Sequence, residues 1–139
     1  MMGEPDAFFV FEKVPGAYEL YEALAEKLRQ RLPGIREKVG KTQVSFYLGC
    51  QFGCASLLAV RRKAERPDPY LTVSFGLAYP LDSPRVDAKT EPYPNRWTHH
   101  LIVGSAEELD GELLCWLEEA AAFAASKRQS RPKNPGKPS

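Results

Sequence analysis

The sequence predicts an α+β domain: a mostly antiparallel sheet of about four to five strands, with an N-terminal and a C-terminal helix packed on one face. Three observations point there. Apolar residues recur at helical spacing near both ends of the chain, they alternate with polar ones at a period of two in between, and 139 residues with 43% hydrophobic content make one domain of ordinary size. A chain of this length buries about two-thirds of its unfolded surface and needs neither metal nor disulfide to fold.

The short apolar run Phe8, Phe9, Val10, Phe11 reads as an extended segment packed against the body. Pro15 and Gly16 then open a helix. Ala17, Leu20, Tyr21, Leu24, Leu28 and Leu32 share its inner face, Glu19, Glu22, Glu26 and Gln30 mostly face outward, and Pro33 and Gly34 end it. From Thr42 to Leu48 the residues Val44, Phe46 and Leu48 alternate with Gln43, Ser45 and Tyr47, the pattern of a strand with one buried face. Gly49, Cys50, Gln51 and Gly53 read as a hairpin turn into a more uniformly apolar strand, Cys54 to Val60, which stops at Arg61, Arg62 and Lys63.

Arg66, Pro67, Asp68 and Pro69 form the next turn, and Leu71 to Leu77 alternates again. The stretch from Tyr79 to Arg96 carries prolines at 80, 84, 92 and 94 and reads as a long loop, within which Arg85 to Thr90 is a candidate edge strand. Trp97 to Val103 is a further strand, ended by Gly104. Ser105 and Glu108 have the spacing of a capping box, with Asp110 the alternative cap of the closing helix. Leu109, Leu113, Trp116, Leu117, Ala120, Phe123 and Ala124 then share one face, and the acidic Glu107, Glu108, Asp110 and Glu112 suit the positive end of the helix dipole.

These elements make residues 1–126 a single domain. Residues 127–139 form a basic, Pro-rich tail with Lys127, Arg128, Arg131, Lys133 and Lys137 and no large apolar residue, so nothing offsets its ordering entropy. The tail holds five of the 19 Lys and Arg, and the body keeps 14 basic against 18 acidic residues. That balance argues against nucleic acid as a partner, except for non-specific attraction through the tail. No apolar stretch approaches the roughly 18 residues of a membrane span. Glu4 and Asp6 stand where a signal peptide carries lysines, and the three cysteines are an odd number, so the expectation is a cytoplasmic protein with reduced thiols.

Cys50 and Cys54 are spaced CxxxC rather than the CxxC of zinc ribbons, and no nucleophile elbow, P-loop, dinucleotide fingerprint or HExxH occurs. No cofactor is implied. The alternation puts Gln43, Ser45, Tyr47, Thr72 and Ser74 on the sheet face away from the helices, with His100 beside them and His99 buried. A solvated sheet surface has the same dress. Its functional reading is a non-catalytic binding surface for an anionic or polar small molecule, with Lys41, Gln43, Tyr47, Arg85, Arg96 and His100 as candidate ligand-binding residues. The reading predicts that these side chains converge, and it falls if Arg85 and Arg96 both point away from His100 with each paired to a surface carboxylate. His99 and His100, adjacent on a strand, point to opposite sides and make no joint metal site. An enzyme reading would rest on His100 as general base beside Tyr47 or Arg96. Tyr79, Leu81, Tyr93 and Trp97, set among prolines, offer an aromatic patch for a homo-oligomer or another protein.

The series KTQVSF from Lys41, LTVSFGL from Leu71, Arg96 with WTHHLIV, and LDGELLCWLEEA from Leu109 resembles the bacterial domain-of-unknown-function family numbered 5655, over about Pro15 to Ser126. By that resemblance Lys41, Arg85, Arg96, His99 and His100 are the family-typical polar positions, with no catalytic role attached. A looser likeness runs to small bacterial domains of frataxin-like architecture. It implies iron binding by an exposed, unpaired ridge of Glu107, Glu108, Asp110 and Glu112, in competition with the capping role of the same residues.

Overall fold

The computed structural model describes residues 7–130 and begins in a helix. α1 (Ala7–Phe11) replaces the extended segment expected at Phe8–Phe11: one turn of helix suffices to turn Val10 and Phe11 inward, and Phe11 stacks on Tyr21 at 5.1 Å between ring centroids. α2 (Ala17–Arg31) follows as predicted, with Ala17, Leu20, Tyr21, Leu24, Ala25 and Leu28 buried.

Six strands follow rather than four to five: β1 (Arg36–Val39), β2 (Gln43–Leu48), β3 (Cys50–Ser56), β4 (Leu71–Leu77), β5 (Ala88–Tyr93) and β6 (Arg96–Val103). They form one sheet in the order β1-β2-β3-β4-β6-β5, every neighbouring pair antiparallel. The unforeseen strand is β1, whose REKV sequence has a single apolar residue. β5 overlaps the candidate segment, shifted three residues along the chain, and tolerates Pro92 because it is an edge strand with a register shift between Thr90 and Tyr93.

The β2–β3 connection is tighter than expected. Gly49 alone turns the chain, in a left-handed conformation (φ 83°) that costs glycine little, and Leu48 already faces Cys50. β3 therefore starts before Cys54 and ends at Ser56, and a bulge absorbs Phe52. Residues 57–60 leave the sheet because its own hydroxyls hold them: Tyr70 OH donates to the Leu57 carbonyl at 2.9 Å and Thr72 Oγ1 to the Leu58 carbonyl at 2.6 Å.

A short 3-10 turn at Ala106–Glu108 precedes α3 (Gly111–Ser130). Of the two caps considered, Asp110 is the one used, its Oδ1 accepting the Leu113 N–H at 3.1 Å. Glu108 reaches the Gly104 N–H instead of Ser105. α3 carries on through residue 130, and the rest of the predicted tail, residues 131–139, lies outside the described residues.

Register puts Phe46, Gly53, Phe75 and His99 in one row across the sheet, and Val44, Ala55, Val73 and Leu101 in the next. Tyr21 of α2 stacks over Phe46 and Trp116 of α3 over Phe75, so both long helices cover this same face. Gly53 permits a close approach of β3 to β4. A Cβ there would lie 2.7 Å from the Ser74 carbonyl oxygen and 3.6 Å from Leu117. Among the described residues no helix is long and apolar enough to cross a membrane.

Candidate functional site

Side chains that alternate away from the helices build the opposite, open face. One row runs straight across all six strands: Lys38, Ser45, Cys54, Ser74, His100, Ala88. Beside it lie Gln43, Ser56, Thr72 and Ile102 on one side, and Arg36, Tyr47, Gly76, Thr98 and Thr90 on the other. None of these residues is acidic.

The rows are bound into a network. Ser74 Oγ and His100 Nδ1 share a hydrogen bond of 2.6 Å, and Ser45 Oγ accepts from Gln43 Nε2 at 2.9 Å and from Gln51 Nε2 at 3.4 Å. Partial burial lowers the His100 pKa from its ordinary value, which keeps the ring neutral near pH 7 with one donor and one acceptor nitrogen. Burial pushes the Cys54 thiol up despite a hydrogen bond with Ser74, so it stays protonated and unreactive. His100 has Ser74 as its partner and, among the described residues, no carboxylate to orient it as a general base.

At one end of this face a groove of about 490 Å³ opens between α1 and residues 57–58. Lys41, Gln43, Ser74 and His100 line it together, with Lys13 of the α1–α2 turn. Three of the predicted residues therefore meet. Tyr47 lies on the same face but farther along, donating to Gln51 Oε1 at 3.3 Å and lining a second hollow of about 750 Å³ with Arg36 and Lys38. Arg96 is at the β5–β6 hairpin, its guanidinium 5.7 Å over the Tyr93 ring.

Arg85 does not converge on His100. It reaches the start of α3 and donates to Asp110 at 2.9 Å, to Glu112 at 3.0 Å and to the Glu108 carbonyl at 2.8 Å, with its guanidinium over Trp116. Its loop crosses to the helix side of the sheet, so Arg85 serves the fold. The same contacts occupy three of the four acidic residues: Asp110 and Glu112 are paired with Arg85 and Glu108 is spent on Gly104, so the expected ridge of unpaired carboxylates shrinks to exposed Glu107. Desolvation works against it, yet the Arg85 and Leu113 hydrogen bonds hold the Asp110 carboxyl below its usual range. Among the described residues no group of three or more His, Cys, Asp or Glu side chains is placed to hold a metal ion.

The aromatic patch is only partly a surface. Leu81 is buried and Trp97 half-buried, while Tyr93 stays 62% exposed and Tyr79 gives its hydroxyl to Glu119. Sequence reasoning missed Arg36 and Lys38 because it missed their strand. The usable signal was the alternation of Arg36 and Lys38 with Glu37 and Val39, whose side chains turn inward; Glu37 accepts from Tyr21 and Arg29.

Fold and face together define a small α+β domain closed by two helices on one side and presenting a cationic, hydrogen-bonding sheet on the other. The chain belongs to the family described as "Domain of unknown function (DUF5655)", whose model matches residues 10–124. No curated protein and no solved structure matches it.

Proposed function

We propose that the domain is a non-catalytic binding module that takes an anionic or polar ligand on the open face of its sheet. One observation carries the reading: Lys41, Gln43, Ser74 and His100, drawn from three separate parts of the chain, line a single groove. Lys41 has no partner among the described residues, so its charge is free for a ligand, and the neutral His100 and the Gln43 amide supply directional hydrogen bonds beside it. The groove is walled by Val10, Val14 and Leu57, which lowers the local dielectric and strengthens the attraction of an anion to Lys41. The three cysteines are free thiols, in keeping with a cytoplasmic setting.

Inorganic phosphate serves as the test anion. Followed by NMR, the ring signals of His100 should move saturably as phosphate is added, while those of buried His99 stay fixed. Lys41→Met should abolish the movement. A His100 ring indifferent to phosphate at millimolar concentration rejects the reading.

A further inference from the structure

The open face carries a charge pattern that the net charge of the chain hides. The side chains of Arg36, Lys38 and Lys41 have neither ion pair nor hydrogen bond among the described residues, and that of Arg96 lies over the Tyr93 ring. Most arginines elsewhere behave differently, although Arg66 has only the ring and hydroxyl of Tyr70. Arg29, Arg31, Arg61, Arg62 and Arg85 are each held in an ion pair. Carboxylates gather on the helix side instead, on α2 at Glu19, Glu22 and Glu26 and around α3 at Glu112, Glu118 and Glu119. The acidic balance of the body is thus an average over two unlike faces: the rows of the open one carry cations and no carboxylate, and the carboxylates at its margins are paired, Glu37 with Arg29 and Asp87 with Arg61.

We propose that the ligand of the open face is a single strand of nucleic acid laid across the sheet. This rests on the reading of that face as an anion-binding surface and names the class of anion. Two tyrosines support it. Tyr47 stands directly opposite Arg36, and Tyr93 directly opposite Arg96, so each end of the face pairs an aromatic ring with a cation. Such pairs suit an unpaired base stacked on the ring with its phosphate beside the charge, whichever base it is. Arg36 and Lys38, two residues apart on an extended strand, are separated by roughly 6.7 Å, a spacing suited to neighbouring phosphates. Between the two ends, exposed Gln51 and half-buried Thr98 offer an amide and a hydroxyl to base edges. A lipid surface would call for apolar side chains to insert all along the face, and exposed ones occur only at the groove, Phe9 and Leu58, while the rows between the tyrosines carry hydroxyls and amides. A duplex hides its base faces from the tyrosines.

The experiment is fluorescence anisotropy of the full chain with labelled oligo(dT) and oligo(rU) of about twelve nucleotides, across a salt series. Contacts from Arg36, Lys38, Lys41 and Arg96 give log K against log[salt] a slope of about −2.8, at about −0.7 per contact for single strands. Arg36→Glu with Lys38→Glu should weaken binding about tenfold or more and make the slope shallower by about 1.4. Tyr47→Ala with Tyr93→Ala should weaken it roughly tenfold with the slope unchanged. Affinity unchanged in both variants would assign binding to the basic tail and overturn the proposal, as would equal or tighter binding of a duplex of the same length. Binding to phosphatidylserine vesicles without binding to either oligonucleotide overturns it too. If phosphate moves the His100 signals while no oligonucleotide binds, the small-anion reading stands and this one falls. If neither occurs, both fall.

Discussion

His99 Nε2 accepts the Leu81 N–H at 2.9 Å, so a fully buried imidazole anchors the proline-rich loop to β6. Lys89, opposite His99 in the β5–β6 register, donates to the Leu81 carbonyl at 2.7 Å, and both sides of that loop residue are tied to the sheet. Phase-matched contacts of this kind require a neutral ring, because a protonated Nε2 has no lone pair for Leu81.

A pH dependence follows. Burial lowers the His99 pKa, helped by the neighbouring positive charge of Lys89 and by His100, and burial lowers that of His100 as well. The unfolded chain then takes up these protons first. Stability is complete above about pH 6.5 and declines as pH falls below it, by at most about 1.4 kcal/mol per pH unit for each proton. Denaturation midpoints between pH 7.5 and 5.5 should therefore fall for the native chain, and His99→Gln should flatten the slope even if it lowers the midpoint itself. A midpoint that does not change over that range contradicts the argument.

The elements legible in the sequence are those whose two sides differ in polarity, as β4 does although both its sides are buried. β4 has the predicted limits, and α2 ends one residue from the expected Leu32, because a buried face imposes alternation or helical spacing on the residues themselves. β1 failed that test: its inward side chains include Glu37, which is satisfied by Tyr21 and Arg29 rather than by apolar contact. For the site, Gln43 and His100 were legible because alternation sets which side of a strand a residue takes. Arg85 was not, since it sits on a loop whose path is decided by distant partners at the start of α3.

Gly53 tests the packing of β3 against β4. The Ser74 carbonyl at 2.7 Å from an added Cβ is backbone and cannot swing aside, so Gly53→Ala must push β3 and β4 apart. A loss of about 1–3 kcal/mol is expected. Urea unfolding measures it, and a variant as stable as the native chain would show that the strands yield without cost.

Arg85 should matter to the fold and not to the ligand. Its partners Asp110 and Glu112 are about half exposed, which limits the ion pairs, but the bond to the Glu108 carbonyl and the Trp116 contact add to them. Arg85→Ala is expected to cost about 1 kcal/mol in urea unfolding. Phosphate titration of His100 should be unaltered in that variant. Loss of phosphate binding at undiminished stability would return Arg85 to the site.

Thr72 links the core of the sheet to the groove. Its hydroxyl, fully buried, is the bond that keeps residues 57–58 folded over the open face as a wall of the groove. Thr72→Val preserves volume, removes that donor and leaves the Leu58 carbonyl with only the Val60 N–H at 3.1 Å, at an expected cost of about 1 kcal/mol. Tyr70 still holds Leu57, so the segment should loosen rather than detach. Hydrogen exchange should accelerate at residues 57–60 while β4 itself stays protected, and phosphate should bind His100 more weakly. If exchange is unchanged and phosphate binds as before, the wall is held by packing and the hydroxyl contributes nothing to the groove.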